Sequence, residues 1–124
     1  MTQWFLRYRR WPEYQGAIQL AVICQRVYEA APRSRLAQAV DSQCTLLVQG
    51  IVRGSIEVSR AHAVDTLHRT LGGLALTRAT LQRLRQRRTG PQASVVAALE
   101  VAERVEEALG KRIATLLERR LPER

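Results

Sequence analysis

The 124 residues suffice for one domain with a single core, and a 5% aromatic content with only 7 Gly and 4 Pro argues against a β-sandwich or barrel and leaves no linker. A formal net charge of +9 and a pI near 11.1 imply attraction to polyanions such as RNA, DNA or an acidic protein face, without defining a site. The two cysteines, Cys24 and Cys44, make no CxxC or Cys/His spacing, no apolar run approaches the roughly 20 residues of a membrane span, and the N-terminus lacks a signal-peptide core, so a cytoplasmic protein with buried free thiols is expected.

In chain order, residues 1–10 carry Trp4, Phe5, Tyr8 and three arginines with no clean period, and read as an arm that docks or frays. A first helix is predicted over about 11–31, with Pro12 tolerated in its first turn and Pro32 stopping it. Tyr14, Ala17, Ala21, Cys24, Tyr28 and Ala31 mark one face, and Ile18, Leu20, Val22 and Ile23 make much of the remainder apolar too. Ser34 is positioned to cap a second helix over 35–58, where Ala37, Val40, Cys44, Leu47, Ile51, Gly54 and Val58 form a heptad-like stripe that Leu46, Val48 and Val52 widen. Stripes this broad imply a central helix or a second buried interface. Every helix of a four-helix bundle has an outside, so the excess is assigned to oligomer contact, with Ile18, Val22, Leu46 and Val48 as the candidate interface.

A third helix over 60–88 starts at a Ser59 cap and carries Leu67, Leu71, Leu74, Leu81 and Leu84 at helical spacing. Gly72-Gly73 interrupts it, and glycine inside a helix costs about 1 kcal/mol relative to alanine. Close approach of another backbone would offset that cost, so Gly72, Gly73 and Gly54 are the predicted packing notch. Thr89 and Gln92 resemble a capping box, Pro91 suits a first turn, and a fourth helix over 91–121 places Val95, Ala98, Ala102, Val105, Leu109, Ile113 and Leu116 on one face. The predicted fold is all-α, an up-down-up-down antiparallel four-helix bundle in one domain, assembled into a ring-like homo-oligomer.

Positive charge concentrates in residues 1–33, net +3, and 60–90, net +6, while 34–59 and 91–124 balance. Arg78, Arg83, Arg85, Arg87 and Arg88 on the third helix, and Arg7, Arg9 and Arg10 on the arm, are the candidate contacts for a polyanion or partner. A solvated helix end that complements its dipole is the competing explanation for the first group, and aromatic packing on a neighbouring subunit for the arm. His62 and His68 lack the i, i+4 spacing and companions of a metal site, and Ser59, Asp65 and His68 lie as helix neighbours without a nucleophile turn. No catalytic, metal or cofactor constellation is expected.

The block from Leu36-Ala37-Gln38-Ala39-Val40 through Leu47 and Gly50-Ile51-Val52-Arg53-Gly54, followed by Thr70-Leu71-Gly72-Gly73-Leu74, resembles the four-helix-bundle family of proteins encoded in 23S ribosomal RNA intervening sequences, which includes the accessory variability proteins of diversity-generating retroelements. Leu36, Val40, Ile51, Gly54, Leu71, Gly72 and Leu74 fall on matching packing positions, as do Trp11, Tyr28 and Pro32 around the first helix. The resemblance spans about residues 11–81; the fourth helix matches only in its period. The family's paired arginines, Asn and Glu are replaced by Asp41, Ser42, Gly50 and Arg53, so its polar signature is not carried over. The resemblance implies a homopentameric barrel and, by the retroelement members, a basic surface that engages nucleic acid and a reverse transcriptase.

Together these expectations describe a non-enzymatic oligomeric scaffold or binding protein with a basic surface. A purely structural homo-oligomer whose charge only keeps it soluble is the alternative.

Overall fold

Proline and serine set where the helices begin. A computed structural model describes residues 3–118, the side chains of residues 3–6 excepted. A 3₁₀ helix, Gln3–Arg10, leads into α1 (Pro12–Ala30), α2 (Arg35–Ser55), α3 (Arg60–Gln86) and α4 (Gln92–Glu118), with no strand among the described residues. Pro12 occupies the first turn of α1, where its missing N–H costs nothing. The Ser34 hydroxyl accepts from Ala37 N at 3.1 Å and Ser59 from His62 N at 3.3 Å, each satisfying one orphan donor of α2 and α3. The Gln92 side chain donates to the Thr89 and Gly90 carbonyls at 3.1 and 3.3 Å, so the expected capping box is not made and α4 starts one residue after Pro91. α2 ends at Ser55 rather than near 58, leaving Val58 fully exposed beyond it; residues 119–121 of the expected fourth helix lie outside the described residues.

Short connections make successive helices antiparallel, and α1 packs on α2 and α4 while α3 packs on the same two. The diagonal pairs do not meet among the described residues, so the bundle is square in section. One core runs its length. α2 contributes Ala37, Val40, Cys44, Leu47, Ile51 and Gly54, and α4 contributes Val95, Ala98, Val101, Ala102, Val105, Leu109 and Ile113. On α1 the fully buried face is Ala17, Leu20, Cys24 and Val27, rotated from the expected one; Tyr14, Ala21, Tyr28 and Ala31 flank it half-buried. On α3, Thr70, Thr77 and Thr80 share the buried face with the leucines, each hydroxyl donating to the carbonyl four residues back at 2.8, 3.1 and 2.9 Å. A buried hydroxyl is tolerated there because it needs no partner from another helix.

The glycines correct the expected pinch point. A Cβ on Gly54 would stand 2.6 Å from Leu67 Cδ2, and one on Gly50 would collide with the Thr70 hydroxyl, so α2 and α3 approach closely at those two residues. Gly72 and Gly73 are exposed, with nothing within 4 Å of either position. They are not a notch within this bundle.

The N-terminal arm docks, as a 3₁₀ helix that packs on α1 and α2, with Tyr8 edge-on to Tyr14 at 4.9 Å. Near it, Glu13 on α1 is 1% exposed and bonds Arg112 of α4 at 2.6 and 3.4 Å, and the guanidinium sits 4.0 Å over the Trp11 ring. This pair fastens α1 to α4.

Candidate functional site

The arginines proposed from sequence do not form one surface. Arg78 is half-buried on α3 and ion-paired with Glu106, with Glu103 at 4.0 Å, so its charge is neutralised by α4. Arg83, Arg85, Arg87 and Arg88 are exposed at the C-terminal end of α3 and make no ion pair among the described residues. Arg9 and Arg10 are also exposed, but they precede α1, whereas the end of α3 lies with the end of α1. A 27-residue helix spans about 40 Å, and the arm and α3 clusters occupy opposite ends of it. Arg7 has an interaction of its own and lines a cleft with Gly54 and Arg112.

The arginine-rich helix end has an unusual stop. Thr89 N bonds Leu84 O at 3.0 Å and Arg88 N bonds Arg85 O at 3.1 Å, the paired bonds of a Schellman motif. Its left-handed position is normally glycine but is here Arg88, at φ 54°.

Among the proposed interface residues, Ile18, Val22 and Leu46 are 39%, 44% and 66% exposed, whereas Val48 is half-buried against the core edge and does not belong to the exposed set. Leu46 lies in a groove between α2 and α3, together with Gly50, Gly73 and a leucine the sequence reading passed over, Leu76, 58% exposed. Gly50 and Gly73 keep the groove open, and Gln43 lines it with its Oε1 buried and without a hydrogen-bond donor. Leu76 escaped notice because it falls off the leucine stripe of α3; its position three residues after Gly73 was the available signal. Val22 lies in a second groove, between α1 and α4, with Gln19, Ile23, Ala93 and Ala97. Because α1 and α4 form one side of the square and α2 and α3 the other, the two grooves sit on opposite faces.

Residues considered for chemistry are committed elsewhere. Ser59 caps α3, and a hydrogen bond from Arg69 holds the Asp65 carboxyl below its usual range. His62 and His68 are exposed. No group of three or more His, Cys, Asp or Glu among the described residues is placed to hold a metal ion, and no helix among them is long and apolar enough to cross a membrane. Cys24 and Cys44 are both buried on facing helices, and the hydrogen bond that the Cys44 thiol makes to Cys24, together with burial, pushes that thiol well above the ordinary range.

Comparison with protein-family models, with curated proteins and with solved structures found no match.

Proposed function

We propose that the protein is a non-enzymatic scaffold that assembles head to tail through its two opposite apolar faces and presents its arginines to nucleic acid or to a nucleic-acid-processing protein. The observation that carries the reading is the pair of grooves: Leu46 and Leu76 exposed on α2 and α3, Ile18 and Val22 exposed on the far side. Two different patches on opposite faces make a heterologous contact, which closes into a ring when the rotation between copies divides a full turn. The exposed Gly72-Gly73 pair fits this: its cost is unrelieved inside one chain, and a neighbour's helix would meet bare backbone there. The unpaired Gln43 Oε1 offers that neighbour an acceptor. A pentamer is the form suggested by the resemblance to intervening-sequence and accessory variability proteins, a reverse transcriptase is the partner class it suggests, and the cytoplasm is the proposed setting. The same contact without any polyanion would make the protein a purely structural oligomer.

Mixing variants tests the contact. Leu46→Glu and Val22→Glu each spoil one face at an exposed position, so each alone should be monomeric by light scattering. Mixed, each supplies the face that the other lacks, and the mass should rise to two chains and stop. The wild type should hold about 70 kDa, five times 14.0 kDa, in both moderate and high salt. A self-complementary interface would leave one of the two variants oligomeric, and a monomeric wild type would end the proposal.

A further inference from the structure

The two connections at one end of the bundle gather charge from distant parts of the sequence. Antiparallel packing brings the α1–α2 and α3–α4 turns together, and a Cβ on Gly90 would lie 3.3 Å from Val27 Cγ1, which seats the second turn over the last turns of α1. Arg26, Arg33 and Arg35 thereby join Arg83, Arg85, Arg87 and Arg88. Residues 26–35 and 83–92 hold these seven arginines and one acid, Glu29, so six of the nine net positive charges sit at this end. All seven are exposed, and none makes an ion pair among the described residues. Elsewhere Glu13 neutralises Arg112, Glu106 neutralises Arg78 and Asp65 pairs with Arg69, while the arginines outside the cluster without an ion pair among the described residues, such as Arg9, Arg10, Arg53 and Arg104, are spread over three elements.

We propose that this end of the bundle binds the phosphate backbone of duplex nucleic acid, an assignment that rests on the polyanion reading above and gives it a location. Helices in contact lie about 8–10 Å apart, so the two groups of arginines flank one face little wider than a groove of a double helix. Arginine's planar fork suits phosphate oxygens, and lysine is absent from the cluster. α2 and α4 begin here without an acidic residue in their first turns, so no carboxylate neutralises the positive end of either helix. Binding single strands generally uses aromatic platforms, and the aromatic residue at this end, Tyr28, is half-buried against the core. Contact is therefore with backbone rather than bases, and recognition is independent of sequence. Arg88 adds a separate pointer, because it holds the left-handed position where glycine would serve the fold better.

Fluorescence anisotropy with a duplex of scrambled sequence, in DNA and RNA forms, tests this on the full chain. Substituting Arg83, Arg85, Arg87 and Arg88 with Gln should weaken duplex binding at least about tenfold and flatten the log–log salt slope by about three. Substituting Arg26, Arg33 and Arg35 should act in the same direction, with a slope change of about two. Arg9→Gln with Arg10→Gln, at the opposite end, should change affinity less than about twofold. Arg88→Gly should raise the Tm while weakening binding, which a merely structural residue would not do. Unchanged affinity in both sets, or tighter binding of single strands than of duplex, overturns the inference. Loss confined to the Arg9/Arg10 variant moves the site and leaves the polyanion reading standing. No binding of either form by the wild type at about 50 mM salt removes both.

Discussion

Removing Arg112 should destabilise the bundle far more than a surface ion pair would suggest. Its partner, Glu13, is 1% exposed and accepts from Nε and Nη2 at 2.6 and 3.4 Å, whereas the Arg112 side chain is 28% exposed. The two halves of the pair are therefore unequal. Arg112→Ala strands a buried carboxylate and uncovers Trp11, at a cost of about 3–5 kcal/mol. Glu13→Gln leaves a guanidinium that reaches water and still rests on the indole, so about 1–2 kcal/mol is expected. For 124 residues the unfolding entropy is about 0.26 kcal/mol per kelvin, which turns the larger figure into a Tm drop of about 12–19 °C. Replacing both residues with Met should recover most of the loss, since two charges no longer need burial. Thermal unfolding followed by circular dichroism measures all three, best in a Leu46→Glu background so that assembly does not contribute. A loss below about 1 kcal/mol for Arg112→Ala would refute the claim that Glu13 depends on its counter-charge.

The glycines should divide by environment. In the same background, Gly72→Ala with Gly73→Ala is expected to raise stability by about 1–2 kcal/mol because neither site has a neighbour within 4 Å, while Gly54→Ala should lower it by about 1–3 kcal/mol through the clash with Leu67; urea titration reads both. Cys24 and Cys44 should resist a maleimide or a disulfide reagent in the folded protein and both react once it is unfolded; rapid labelling of Cys44 under native conditions would contradict its burial and raised pKa.

The helices were legible in the sequence because serine, proline and apolar period agree about where each one runs. The core of α2 was read correctly from Ala37 to Gly54, since its stripe has a single period; α1 was misread because apolar residues surround it, and only its packing between α2 and α4 selects Leu20 and Val27 over Tyr14 and Ala21. The buried threonines of α3 were missed for a related reason: a hydroxyl bonded to its own helix behaves as an apolar group, yet composition counts it as polar. Gly72-Gly73 misled because the cost of glycine in a helix is local while its compensation is not. The sequence also flagged Arg83 to Arg88 but split the charge by segment, and only the antiparallel fold shows that Arg26, Arg33 and Arg35 belong with them. Arg78 could not be separated from that group without knowing that α4 presents Glu106 to it.

The link between Glu13 and Arg112 has a consequence for how the chain matures. The residues are 99 positions apart, and the face of α1 that seats on α4 has no substitute partner among the first three helices. A nascent chain that has emerged only as far as α3 holds an uncovered apolar flank and a carboxylate without its cation. Closure thus waits for α4 to emerge rather than proceeding gradually, and a product truncated before residue 112 would be marked for degradation by the surface it leaves open.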